Sequence, residues 1–246
     1  MDSHRAYLSE IFSSIQGEGP WIGLRQVFLR FSGCNLRCIW CDTPESLVLE
    51  KKKLTPLSVK EVLQRVVDFN QITEHHSISL TGGEPLLQAQ FLKSLLLALK
   101  SVQKTLGLKT FLETGGHLPE KLEKLVDLLD FVSFDLKLPS STQEKALWKE
   151  HQEFVQILSQ AKTNAAAKIV VTSGTELSEL LFAFELLRDK PNLELVLQPV
   201  SQTPDFRDPG LLGQERLDLY HKEAIKVLGA KKVRIIPQTH KILGVI

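Results

Sequence analysis

Cys34, Cys38 and Cys41 are the chain's only cysteines, and they fall within eight residues in the run Gly33-Cys34-Asn35-Leu36-Arg37-Cys38-Ile39-Trp40-Cys41-Asp42. Three thiolates on one short loop suit a soft metal centre, and iron–sulfur clusters are held by such ligands. A four-iron cluster with three cysteine ligands leaves one iron open to a small molecule. An open coordination position is what separates a catalytic metal from a structural one. A zinc ion could use the same thiols with His117 or His240 as fourth ligand, although no histidine lies within a few residues of the loop. A structural disulfide fits poorly. The odd count leaves one thiol over, and Met1 to Pro20 lacks a secretory signal pattern.

A second run with chemical potential is Thr81-Gly82-Gly83-Glu84-Pro85. Two glycines remove side chains so that backbone can come close to a ligand, and Glu84 offers a carboxylate to a cation. Taken alone, the run also reads as a tight strand-to-helix turn.

The elements that must carry these loops alternate between strand and helix. Gln26 to Phe31 reads as a buried strand ending at the cysteines. Ser58 to Phe69 follows as a helix, with Val59, Val62, Leu63, Val66 and Val67 at helical spacing and a Ser58/Glu61 capping box. Ser77 to Leu80 is a strand ending at Thr81, followed by a leucine-rich helix from Gln90 to Val102. Thr110 to Leu112 leads into Glu113-Thr114-Gly115-Gly116, then a helix carrying Leu122, Leu125, Val126 and Leu129. Phe131 to Phe134 reaches Asp135-Leu136-Lys137, and a helix follows at His151 to Ala161. Lys168 to Val171, Leu193 to Leu197 and Val233 to Ile236 complete about seven strands, with a further helix ending near Gly229. Alternation with crossover helices implies a parallel sheet. Seven strands are too few for a closed eightfold barrel, so the expectation is α/β, a partial (β/α)6-type barrel with the last strand added at an edge. The polar or glycine-rich turns after the strands then gather on the carboxyl-end face, where barrels place their active sites. The stretch 139–149 has no clear place in this scheme.

A chain of 246 residues with 43% hydrophobic content fits one α/β domain, 1–246, with a sizeable core. Lysine and arginine number 30 against 29 acids, so no general field draws the protein to nucleic acid or to a membrane surface. Lys51-Lys52-Lys53 reads as a solvated loop, and no apolar stretch approaches the length of a membrane span. A cytoplasmic location is expected, since reducing conditions preserve thiols.

The C-x3-C-x2-C spacing with Trp40 before the last cysteine, followed one βα unit later by the Gly82-Gly83-Glu84 turn, resembles the radical S-adenosylmethionine (SAM) superfamily. The resemblance implies a 4Fe-4S cluster on Cys34, Cys38 and Cys41, with the open iron chelated by the methionine end of SAM. It implies that Gly83 and Glu84 meet the SAM amine and that Glu113 binds the ribose hydroxyls. Ser133, Asp135 and Lys137 match the next SAM-contacting segment, and Trp40 packs near adenine and cluster or simply in the core. The chemistry implied is reductive cleavage of SAM to a radical that takes a hydrogen atom from the substrate.

Further runs narrow the resemblance. Ser14-Ile15-Gln16-Gly17-Glu18-Gly19-Pro20, Arg30-Phe31-Ser32-Gly33-Cys34, Cys41-Asp42-Thr43 and Pro237-Gln238-Thr239-His240-Lys241 are together similar to the 7-carboxy-7-deazaguanine synthase family. That family converts 6-carboxy-5,6,7,8-tetrahydropterin to 7-carboxy-7-deazaguanine with loss of ammonia, assisted by magnesium. The likeness implies that Arg30 grips the substrate carboxylate, as a guanidinium does with two parallel bonds. Glu18 accepts from the amino-pyrimidinone edge, with the backbone of Ile15, Gln16 and Gly17 beside it. Thr81, Gln238 and His240 line the substrate, and Thr43 gives its hydroxyl to Mg2+. An electron donor such as a flavodoxin and a homodimeric state also follow from the likeness, while His75, His76 and His221 are expected at the surface. Some members carry a long insertion between the first two cysteines; this chain has the short spacing. A glycyl-radical-enzyme activase and a non-catalytic iron–sulfur or zinc protein are the alternatives at this point.

Overall fold

The computed structural model describes residues 5–49, 53–69, 71–201 and 212–245; Lys51 and Lys52 of the lysine run lie outside them. The strands are β1 (Arg5–Ala6), β2 (Leu8–Ile15), β3 (Arg25–Phe31), β4 (Leu57–Ser58), β5 (Ser77–Gly82), β6 (Lys109–Thr114), β7 (Phe131–Asp135), β8 (Asn164–Val171), β9 (Leu193–Pro199) and β10 (Val233–Ile235). The helices are α1 (Val59–Val67), α2 (Ala89–Leu106), α3 (Pro119–Leu122), α4 (Pro139–Thr142), α5 (Trp148–Gln160), α6 (Leu177–Leu187), α7 (Gln214–Leu228) and α8 (Thr239–Leu243). The main sheet runs β10-β9-β8-β7-β6-β5-β3-β2 and is not closed, with β2 and β10 at its edges. Every pairing from β3 to β10 is parallel, as crossover helices require. The architecture is a partial barrel of mostly parallel strands, with β10 added at the edge.

The two faces of this sheet differ in chemistry, and strand periodicity explains how. On alternate positions Val27, Leu29 and Phe31 of β3, Ile78 and Leu80 of β5, and Ala165, Ala167 and Ile169 of β8 join the helices in one apolar core. The intervening residues point the other way, into the concave side: Arg30, Thr81, Glu113, Asp135, Lys168 and Gln198 all line one cavity. Trp21, in the 3-10 turn Gly19–Trp21 between β2 and β3, meets Phe111 and Phe131 edge-on at 5.1 and 5.4 Å. Aromatic packing therefore backs this polar concavity.

Four local features depart from the sequence expectations. Strand β2 pairs antiparallel with β3, and its pattern is broken by a register shift between Leu8 and Glu10, so it lacks a clean alternation. The helix expected across Leu122 to Leu129 is a one-turn α3 followed by a 3-10 turn at Val126–Leu128; its four apolar residues are buried all the same. Helix α6 was not foreseen, because its run LSELLFAFELL is apolar around most of its circumference. His75 is not at the surface but 6% exposed, with Nε2 2.7 Å from Ser13 Oγ, whereas His76 and His221 are half-buried. The capping box of α1 is present, with Glu61 N–H donating to Ser58 Oγ (3.3 Å) and Ser58 N–H to Glu61 Oε2 (2.7 Å). Among the described residues no helix is long and apolar enough to cross a membrane.

Candidate active site

The three cysteines lie on the loop after β3, at the carboxyl end of the sheet, and all three line a cavity of about 470 Å³. The stretch 139–149, unplaced from sequence, supports that loop. Ile39 N–H donates to Thr142 O (3.1 Å), Trp40 Nε1–H to Ser141 Oγ (3.0 Å) and Arg37 N–H to the Glu144 carboxylate. Leu147 packs with Leu36 and Cys38. On the other flank His117 Nε2 lies 2.9 Å from Asn35 Oδ1.

The thiols are in no disulfide. Among the described residues they do not close to within 4.8 Å of one another, nor do two of them with a histidine. Burial pushes all three thiols up, Cys38 to about 11, so a metal must supply the charge that keeps them as thiolates. Three soft donors on one wall of a cavity fit an iron–sulfur cluster.

The glycines of the next loop serve the backbone more than a ligand. Gly82 has φ +128°, and a methyl group on it would overlap the Phe31 backbone, while one on Gly83 would overlap the Gly33 carbonyl. Only glycines allow Gly83 N–H to donate to Phe31 O (2.9 Å) and Glu84 N–H to Gly33 O (2.8 Å), clamping this turn to the start of the cysteine loop. Glu84 is 1% exposed and its carboxylate is fixed by protein donors: Leu86 N–H at 2.9 Å, Thr114 Oγ1–H at 2.8 Å and Gly115 N–H at 2.8 Å. It ties the turns after β5 and β6 together.

Glu113 accepts from Thr81 Oγ1–H (2.7 Å) and from Gln16 Nε2–H, and burial with the nearby Glu18 charge raises its carboxyl. Lys137 Nζ stands 4.3 Å over the Trp40 ring and donates to Asp135 Oδ2 at 2.8 Å. Burial opposes the Lys137 charge, but Asp135 holds its ammonium above the ordinary range. Ser133 is the exception among the expected residues: it is buried near Gly19 and does not line the cavity. His151 couples the two turns behind this wall, its Nδ1 2.8 Å from Gly116 O and its Nε2 accepting from Lys137 N–H at 3.0 Å.

The opposite wall is built from the N- and C-terminal parts of the chain. Thr239 N–H donates to Gly17 O (2.8 Å), and a methyl group on Gly17 would collide with His240. Gln238 Nε2 donates both to Glu18 Oε1 (2.8 Å) and to Asp42 Oδ2 (2.6 Å), while Lys241 Nζ reaches Gln238 Oε1 at 2.7 Å. Ile15 also lines this wall, and Thr43 lies beside Asp42 with Oγ1 4.0 Å from Cys41 Sγ. Glu18, Asp42 and His240 bring three hard donor atoms within 4.8 Å of one another. Arg30 is mostly buried, its Nε bonded to Glu10 Oε2 at 2.9 Å and its guanidinium over Phe12 at 5.1 Å.

Several residues of the cavity have no role assigned from the sequence motifs. Lys168 on β8 forms an ion pair with Glu18, Asp42 and Lys241 brace Gln238, and Gln198 presents a buried Oε1 without a hydrogen-bond partner. Their position on the cavity face of a strand, or beside a motif, was the one available clue.

Comparison with known proteins points the same way. Residues 29–164 match the model of the radical SAM superfamily. The chain is 36% identical to a 7-carboxy-7-deazaguanine synthase of Geobacter sulfurreducens over 99% of both chains. It is 37% identical to one of Thermococcus kodakarensis, covering 98% of this chain and 100% of that one. In fold it is similar to the crystal structure of QueE from Escherichia coli, with TM-score 0.61 and 22% identity over 96% of this chain and 95% of that chain.

Proposed function

Because the chain belongs to the 7-carboxy-7-deazaguanine synthase family of the radical SAM superfamily, we propose that its cavity takes cluster and SAM at the cysteine end and the pterin at the Glu18 end. The reaction is conversion of 6-carboxy-5,6,7,8-tetrahydropterin to 7-carboxy-7-deazaguanine with loss of ammonia, on the route to queuosine and other deazapurines. Product and ammonia together contain every atom of the substrate, so no net oxidant is needed and SAM is regenerated. The observation that carries this reading is one cavity walled by three thiols on one side and by Glu18 and Arg30 on the other.

Cys34, Cys38 and Cys41 hold the cluster. Gly83 and Glu84, already oriented by Thr114 and Gly115, meet the SAM amine, and Glu113 retains lone pairs for the ribose hydroxyls. Asp135, Lys137 and Trp40 flank the nucleoside, with Ser133 supporting that wall from behind. When bound, cluster and SAM supply a hydrogen-abstracting radical; the protein's task is to place the substrate within its reach and keep water out. Glu18 accepts from the amino-pyrimidinone edge beside the backbone of Ile15, Gln16 and Gly17. Arg30 receives the carboxylate, and Thr81, Gln238 and His240 complete the enclosure. Mg2+ is assigned to Thr43, where the neighbouring Asp42 carboxylate adds a hard oxygen atom suited to that ion.

A flavodoxin-type reductant, a homodimer and a cytoplasmic location fit this chemistry. The deciding test is anaerobic: reconstituted, reduced protein with SAM and the pterin, with and without magnesium. Formation of the deazapurine with recovery of SAM is expected. SAM cleavage without a deazapurine product would overturn the assignment.

A further inference from the structure

Lys168 is a mostly buried cation whose surroundings give it one strong partner. Its Nζ bonds Glu18 Oε2 but stands 3.7 Å from Asp135 Oδ1, an atom left without a hydrogen-bond partner, while Lys137 takes Asp135 Oδ2 at 2.8 Å. The parallel register sets Lys168 beside Asp135, so it is anchored on the rigid sheet while Glu18 sits on a loop. The other Glu18 oxygen accepts from Gln238, whose amide group is shared with Asp42. A carboxylate offers about four lone-pair sites. Two are used by these partners, and the remaining two can serve a ligand with two adjacent N–H donors. Burial would raise the Glu18 carboxyl, yet Lys168 and Gln238 bring it down to about 2. Burial also opposes the Lys168 charge, but Asp135 and Glu18 hold its ammonium well above the ordinary range, which makes it a poor proton donor near neutrality.

We propose that Lys168 is a positioning residue that acts through Glu18, pinning its carboxylate to the sheet in the one orientation that accepts the amino-pyrimidinone edge of the substrate. The proposal rests on the pterin reading of Glu18 and adds to it the group that sets substrate affinity from behind.

The test uses the cluster-reconstituted enzyme with Lys168→Met, Lys168→Arg, Glu18→Gln and the double variant K168M/E18Q. Lys168→Met should raise the KM for the pterin about ten-fold or more, as befits a lost charge-assisted hydrogen bond. The dissociation constant for SAM should move less than about three-fold, and Lys168→Arg should recover most of the loss. The double variant should be no worse than the weaker single by more than about three-fold, because both changes remove one interaction. Effects that multiply in the double variant would overturn the proposal, as would loss of SAM binding with the pterin KM unmoved. Should Lys168→Met fail to fold, Lys168→Arg decides: a KM raised beyond that of Glu18→Gln would overturn it. A Glu18→Gln variant with normal pterin KM would instead defeat the pterin reading of Glu18 itself.

Discussion

Protonation of His151 should loosen the fold, and the geometry gives the size of the effect. This imidazole is fully buried, and its Nε2 accepts the Lys137 N–H at 3.0 Å while Nδ1 faces the Gly116 carbonyl at 2.8 Å. Both bonds are satisfied only by the neutral ring with its proton on Nδ1. Burial lowers its pKa from 6.5 to about 4. Between these values the unfolded chain binds the proton and the native one does not, so stability rises with pH across that window. The contribution is complete above pH 6.5 and lost as pH falls through about 4, a change of about 3 kcal/mol. Urea unfolding of the cluster-free protein, followed by tryptophan fluorescence from pH 4 to 8, would measure it. Other groups titrate in the same range, so the informative quantity is the difference between wild type and His151→Gln. At pH 7.5 the variant should be less stable by roughly 2–4 kcal/mol through two weakened buried bonds. That gap should shrink by about 3 kcal/mol on acidification. A gap that stays constant from pH 4 to 6.5 would refute the reasoning.

Three further outcomes are expected. Cys38→Ala should abolish SAM cleavage and lower the iron content per chain, and retained cleavage would show that the thiol does not hold the cluster. Gly83→Ala should displace the cysteine loop, because its methyl group meets the Gly33 carbonyl; iron and sulfide retention should fall several-fold even where the fold survives by circular dichroism. Arg30→Ala should raise the KM for the pterin by roughly 10- to 100-fold, the scale of a charged hydrogen bond, with a smaller effect on uncoupled SAM cleavage. Equal losses in both would remove the carboxylate role.

The cysteine trio and the Thr81–Pro85 turn were legible because their spacing is local and their side chains are chemically distinctive. That the strands run parallel followed from alternation, and the expectation that their turns share one face rested on the same rule. What sequence could not show depends on partners far along the chain. Lys168 reads as one polar residue in an alanine-rich strand until the register sets it beside Asp135 and the loop brings Glu18 across. His151 reads as an ordinary helix residue until Gly116 and Lys137 are seen to converge on it. The glycines were read as room for a ligand, whereas the space they vacate is filled by the neighbouring loop's own backbone. Strand β2 was missed because its edge position and register shift blur the period of two.

The hydrogen bond between Gln238 and Glu18 spans 220 positions of sequence, and Thr239 to Gly17 is a closure of the same kind. Loop-closure entropy makes such long-range contacts among the last that a chain can profit from. Both bonds can form only once the strands have brought the two stretches together, so the wall around Glu18 depends on the sheet beneath it. Because Gln238 also holds Asp42, next to Cys41, the same closure fastens the Glu18 wall to the end of the cysteine loop, and weakening it would loosen both.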